Sequence, residues 1–330
     1  MLHLHEPLLV TDSAPTSLPH RPALAPWCRL ADDEERILVE HGGTVVTFEG
    51  RAVQALLPKL LPLLDGTRTV TEIEEELGRR AAPAVANALA MLATNQLLVD
   101  GRHRPSDEAP VTAAASFAAA VTRRTTQADA LRALAEAAVH VLGGGDIARE
   151  VERLLAHMGI GHVELRALGD HLEDAAFVVA APERAGVPAL ARLNAIALER
   201  RLPWLQVLPF DGRLAVVGPL FVPGASACRA CYVLRRASCS GYDEDYDLID
   251  HEPVRAPSPP PLTAVAAGLA SLLVLRWLTT CDPALPGRFY AVEAGAIVRL
   301  RYDEVLRVPR CGACGTPQRA IPSPWFEEVA

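Results

Sequence analysis

Two short cysteine motifs, Cys228-Arg-Ala-Cys231 and Cys311-Gly-Ala-Cys314, constrain this chain more than any other feature of it. Zinc takes four thiolates in a tetrahedron, and a CxxC turn offers two sulfurs to one ion. Two such turns complete a closed site with no position left for a substrate, which is the pattern of structural zinc. The second motif stands far along the chain from the first. One ion held by Cys228, Cys231, Cys311 and Cys314 would therefore staple the end of the chain onto a domain formed earlier. A redox pair, or four unrelated core thiols, is the alternative.

The three remaining cysteines, Cys28, Cys239 and Cys281, read as small packing residues, with Cys239 in its serine-flanked position the one candidate for reactivity. An odd total of seven without a framework argues against a secreted disulfide protein. The first residues, MLHLHEPLLVTDSAP, carry no basic region and no long apolar stretch, so no signal peptide is expected. The apolar run Leu262 to Leu275 is interrupted by Thr263, Gly268 and Ser271 and reads as a buried helix rather than a membrane span. A cytoplasmic protein with no membrane partner is the expectation.

The pattern along the chain divides it. Residues 1–26 are rich in proline, without periodicity, and read as a flexible arm. From 27 to 101 the strands Trp27–Leu30, Arg36–Glu40 and Thr44–Phe48 precede three helical stretches, with a hairpin signal at His41-Gly42-Gly43. The helices run from Val53 to Leu64, from Thr71 to Arg79 and from Pro83 to Asn95. Thr71-Glu72-Ile73-Glu74 has the spacing of a capping box. Val85, Leu89 and Leu92 share one face of the third helix. This is the layout of a winged helix. Seven cations against twelve anions between Trp27 and Asp100 leave it net negative, so counterion release cannot drive it onto a phosphate backbone and no nucleic-acid partner is expected. A strand beside a helix can instead accept a peptide as an added strand.

Residues 102–112 form a polar linker into a second domain, 113–330, which begins with a helical stretch from Ala113 to Ala138. There Val139–Leu142 is a strand running into Gly143-Gly144-Gly145, a helix from Asp146 to Met158, and a second strand, His162 to Leu165. That order is Rossmann-like. In a working nucleotide site the turn and helix start bind phosphate, but Asp146 puts a negative charge there. Strands follow at Phe177–Ala180, Pro203–Val207 and Leu214–Val217, with a helix from Leu190 to Arg200 between the first two. The acidic stretch Asp243 to Glu252 reads as a solvated loop, and the histidines show no metal-ligand spacing.

The glycine turn, the run Gly218-Pro219-Leu220-Phe221-Val222-Pro223-Gly224 leading into the first CxxC, and the closing Cys311-Gly-Ala-Cys314 resemble the ThiF/E1-like superfamily. Asp65-Gly66-Thr67-Arg68-Thr69 before a helix resembles the PqqD-like peptide-recognition element. Together, in this order, they resemble the ocin-ThiF-like leader peptide-binding proteins of thiazole/oxazole-modified peptide (TOMM) pathways, over about residues 27 to 320. The fold class that follows is α/β: an N-terminal winged-helix (PqqD-like) domain and a C-terminal Rossmann-like ThiF/E1-type domain with a structural zinc site.

The resemblance implies a non-catalytic module. It would bind the leader of a ribosomal precursor peptide and deliver it to a separate YcaO-type cyclodehydratase for azoline formation. The leader would pair with the strand Thr44, Val45, Val46, Thr47 and Phe48 and lie against the helix carrying Val85, Leu89 and Leu92. A homodimer is compatible with it. The chain departs from active E1-like enzymes in ways that bear on ATP. Arg166-Ala167 follows the second strand, where an acidic residue would hold the ribose. Only a short segment precedes Phe177, too short to carry the usual phosphate ligands. Ala180-Ala181-Pro182 stands where a magnesium aspartate would, and the sole lysine, Lys59, lies outside this domain. ATP use is therefore not expected, and Gly143-Gly144-Gly145 is a vestigial nucleotide turn. An active E1-like ATP-dependent adenylating enzyme is the alternative.

Overall fold

The computed structural model describes residues 18–25, 27–32, 35–42, 44–95, 97–101, 109–122, 124–170, 172, 174–184, 187–241, 245–252 and 256–315. Most of the arm and the polar linker lie outside the described residues. The chain divides into two compact units, Met1–Leu131 and Arg132–Ala330. The division falls beyond the expected linker, and the helical stretch from Ala113 is two helices, α4 (Ala109–Thr122) and α5 (Gln127–Glu136), separated near Arg124-Thr125-Thr126.

In the first unit, strands β2 (Arg29–Asp32), β3 (Arg36–His41) and β4 (Thr44–Glu49) form an antiparallel sheet in that order. The alternation in β3 buries Ile37 and Val39, which register with Phe48 and Val46 of β4 on the same face. Helices α1 (Arg51–Leu60), α2 (Val70–Leu77) and α3 (Ala82–Thr94) close over that face with Leu57, Leu60, Ile73, Val85, Leu89 and Leu92. The three-helix, three-strand order is the one expected.

Two local expectations shift. The last strand, β5 (Leu98–Asp100), pairs antiparallel with β1 (Pro22–Leu24), so the end of the proline-rich arm is part of the folded unit. The capping box also sits earlier than expected. Thr69, not Thr71, caps α2: the Thr69 hydroxyl accepts from Glu72 N and Glu72 accepts from Thr69 N at 2.7 Å. The preceding turn fixes the choice. Asp65 accepts from Thr67 N at 2.9 Å and from Arg68 Nη1 at 3.2 Å, while Gly66, at φ +77°, packs so tightly on Gly101 that a Cβ would meet its Cα at 2.5 Å.

The second unit carries a seven-stranded mixed sheet of order β12-β11-β10-β9-β8-β6-β7. Its strands are β6 (Ala138–Leu142), β7 (His162–Arg166), β8 (Phe177–Ala180), β9 (Trp204–Leu208), β10 (Leu214–Phe221), β11 (Arg288–Ala294) and β12 (Val298–Glu304). The first four run parallel and the last three add antiparallel. β8 and β9 are buried at every position, as continuous strand runs covered on both faces must be. The helices are α6 (Asp146–His157), α7 (Pro188–Arg200), α8 (Arg229–Cys239), α9 (Tyr246–Asp250) and α10 (Pro260–Thr280).

Helix α10 is long and apolar enough to cross a membrane by length and composition. It packs instead on α6 and on β9 and β10. Ala266, Ala267 and Ala270 are buried and keep its packed face small, as close helix packing requires. It is a core helix, as the interrupted apolar run predicts. The acidic stretch, expected as a loop, contains α9, whose Tyr246 is buried and whose Asp250 pairs with Arg236 of α8 at 3.3 Å.

Candidate metal centre and glycine turn

Cys228 is the N-cap of α8 and Cys231 follows one turn in, so the spacing places both sulfurs at the start of one helix face. Cys311 and Cys314 lie on a tight turn closed by Gly315 N donating to Cys311 O at 2.7 Å. Two arginines hold the segment leading into that turn against α8 and the loop before it. Arg235 donates to the carbonyls of Leu306 (2.6 Å) and Arg307 (3.0 Å), and Arg307 Nε donates to Ser226 O at 2.9 Å.

The four Sγ atoms come together. Cys228 lies 3.9 Å from Cys231 and 3.8 Å from Cys311, and Cys231 lies 3.5 Å from Cys314. Sulfurs at about 2.3 Å from a tetrahedral zinc stand about 3.8 Å apart, whereas a disulfide needs about 2 Å. The cluster therefore fits a metal ion and not a pair of bridges. Val308 N reaches Cys231 Sγ at 3.3 Å, the kind of outer contact that holds a thiolate in place. Cys228, Cys231 and Cys311 are buried among Trp204, Phe221 and Tyr232. Burial raises the Cys228 thiol. It opposes ionisation at Cys311 too, but the amides of Cys314 and Ala313 and the neighbouring thiols hold that group down to about 7. The motif's Arg229 turns inward, its Nε donating to Gln206 at 3.2 Å and its backbone N to Asn194 at 2.9 Å. The expectation that the other cysteines pack inside fails: Cys239 and Cys281 are exposed and Cys28 is half-buried.

The glycine turn opens a cavity of about 770 Å³ at the end of the parallel strands, lined by Gly143, Gly144, Gly145, Asp146, Arg149 and Glu183 among others. Its three glycines are not equivalent. Gly143 has φ +152°, and a Cβ there would strike the carbonyl oxygen of Ala181 at 2.2 Å. A Cβ on Gly144 or Gly145 would meet only Glu183, at 3.7 and 3.5 Å. The first glycine thus serves the close approach of the two chain segments leaving the parallel neighbours β6 and β8, and the next two are overhung by the Glu183 side chain. Arg149 is committed to Asp146 (2.5 Å) and to the carbonyl of Gly144 (2.5 Å). Arg166, at the end of β7, donates to Glu164 at 2.6 Å. Gly143→Ala is expected to cost about 2 kcal/mol or more through that backbone clash and the strained φ, and Gly144→Ala well under 1 kcal/mol. Urea melts of the two variants check the contrast.

In the first unit, Thr44–Glu49 forms the sheet edge: among the described residues β4 pairs only with β3. Val45 is exposed and Phe48 buried. Beside the edge, Phe48, Val53, Leu56, Ala84, Ala88 and Met91 line an apolar groove of about 110 Å³ between β4, α1 and α3. Val85, Leu89 and Leu92, expected to face a bound peptide, are each 0 % exposed. Their shared face is real, but it is spent on the unit's own core, and the neighbouring face of α3 reaches the groove. Sequence reasoning also missed a grouping of His140, His162 and Glu164, whose ligand atoms all lie within 4.8 Å of one another.

No protein-family model and no curated protein matches the sequence. Among solved structures, a heterocyclase in complex with substrate and cofactor matches at TM-score 0.68 and 20% identity, over 89% of this chain and 39% of its own. The heterocyclase TruD matches at 0.67 and 21%, over 90% and 43%. The chain has the fold of the matched part of these heterocyclases. It spans less than half the length of either. E. coli MccB, solved with AMPCPP and the peptide MccA, matches at 0.65 and 17%, over 89% of this chain and 99% of its own. The mixed α/β architecture expected for the second domain is thus found, and the likeness runs through both units.

Proposed function

We propose that this chain is a leader peptide-binding member of the ocin-ThiF-like group in ribosomal peptide modification, and that it delivers its peptide to a separate YcaO-type cyclodehydratase. The observation that carries this reading is the edge of β4, unpaired on one side among the described residues, beside an apolar groove, in a chain whose fold matches heterocyclases through both units. The first unit acts as a winged helix of the PqqD-like kind. A peptide added antiparallel or parallel to β4 pairs its backbone with that edge, and every second side chain drops toward Met91 and Ala88. The thiolate cluster holds zinc as a structural ion. Its four positions are all taken by sulfur, so it contributes folding and no chemistry.

The second unit works as scaffold. At the glycine turn the acids Asp146 and Glu183 line the cavity together with Arg149 and Arg184, and Arg149 is tied to Asp146. The two acids and two arginines balance, so the lining offers a triphosphate no net positive charge. Fluorescence anisotropy with labelled leader segments of ribosomal precursor peptides tests the reading: saturable binding of one of them at roughly micromolar Kd supports it, and none up to tens of micromolar defeats it.

The whole-chain match to MccB, a structure holding AMPCPP, favours one other reading, an active ATP-dependent adenylating enzyme. Calorimetry with magnesium ATP separates the two. The proposed function expects no heat of binding up to millimolar nucleotide, and a Kd in the micromolar range would put the adenylating enzyme first.

A further inference from the structure

His140 stands in the middle of β6, is 0 % exposed, and has no hydrogen-bond partner on either ring nitrogen. A buried imidazole normally finds at least one partner, so two unmet nitrogens ask for a ligand. The neighbouring strand supplies the context. β6 and β7 are parallel, with His140 in register with Glu164 and Ala138 with His162. The period of two along β7 puts His162 and Glu164 on one face, and His140 falls beside both. One ligand atom from each lies within 4.8 Å of the others, and the two imidazole rings stand edge to face at 6.2 Å.

Two imidazoles and a carboxylate form a donor set that suits zinc-class ions, with a fourth position open. The surrounding contacts fit. Both hydrogen bonds of Glu164, from Arg166 at 2.6 Å and with His162 Nε2 at 3.4 Å, fall on Oε2, which leaves Oε1 for an ion. Arg166 holds that carboxylate through Oε2, as outer partners of metal ligands do. Its own positive charge is offset by Asp170 and Asp174 nearby.

We propose that His140, His162 and Glu164 form a second metal site, distinct from the thiolate cluster, that takes one divalent transition ion of the zinc class. The ion ties the edge strand β7 to β6 through a buried ligand. His162 and Glu164 have half-exposed side chains, at 58% and 41%, so the ion exchanges with solvent and the open position faces water or a small anionic ligand. The thiolate cluster, by contrast, is closed. This site needs nothing from the peptide-binding reading and stands or falls separately.

The test uses the full chain with its thiolate cluster loaded with zinc, titrated with cobalt(II). One further equivalent is expected, with weak visible d–d absorption and without the intense near-ultraviolet charge transfer that thiolate–cobalt bonds give. His162→Ala and Glu164→Gln, both changes at half-exposed positions, are expected to weaken that binding by about tenfold or more while leaving the thiolate-bound zinc in place. No second equivalent in the wild type, or equal affinity in His162→Ala, overturns the proposal and leaves His140 as a core histidine bridged by water.

Discussion

Cys228→Ser is expected to empty the thiolate cluster and to lower the melting temperature of the second unit by about 10–20 °C. The size follows from what the cluster joins. A structural zinc in small peptides is worth about 10 kcal/mol or more, and a folded domain has about 5–15 kcal/mol in all. Serine leaves three sulfurs and a poor fourth ligand, so a loss of about 5 kcal/mol is a modest share of the metal's contribution. In a unit of this size each kcal/mol moves the midpoint by about 2–4 °C. The loss also propagates. Cys228 begins α8, and the turn at Cys311 reaches it from the far end of the chain through Arg235 and Arg307. Without the ion, those contacts and the packing of Val305 and Val308 must hold the return segment. Cys239→Ser is the control, because Cys239 is exposed and outside the cluster. Elemental analysis and a thermal melt decide the matter. Unchanged zinc and an unchanged melt in Cys228→Ser would show that the four sulfurs are mere core packing.

The thiolate cluster was legible because its chemistry lies in two contiguous tetrapeptides, and the turn geometry of each is local. The site at His140 was not legible. Its three ligands are collected by a parallel register between β6 and β7, and nothing in the spacing His162-Val163-Glu164 announces the partner on another strand. Helix α8 was missed for a related reason. Its buried positions are Arg229, Cys231 and Tyr232, so the apolar period that marks a helix is absent. The capping box shows how near two readings can lie. Thr69-Val70-Thr71-Glu72 and Thr71-Glu72-Ile73-Glu74 both fit a threonine with an acid three residues on, and the Asp65-Gly66 turn selects the first. Val85, Leu89 and Leu92 carry the subtler lesson. The period identified an apolar face correctly, but a sequence pattern does not say whether such a face meets the chain's own core or a partner.

That distinction sets the last expectation. If a leader peptide adds to β4, the residues that discriminate its side chains are those of the groove and not those of the core. Met91→Glu places a carboxylate in the groove at a position that is 41% exposed in the free protein, so the fold tolerates it. A peptide side chain docking there would desolvate that charge without pairing it. Leader affinity is expected to fall by about tenfold to a hundredfold, equivalent to about 1.4–2.8 kcal/mol. Leu89→Ala is the informative counterpart. It removes a fully buried side chain and costs about 2–5 kcal/mol of stability, yet among molecules that remain folded the leader should bind as before. Anisotropy titrations on both variants, each paired with a denaturant melt, separate the two effects. Full affinity in Met91→Glu would move the peptide off the β4 groove, and a selective loss of affinity in folded Leu89→Ala would return it to the face that the helical period first suggested.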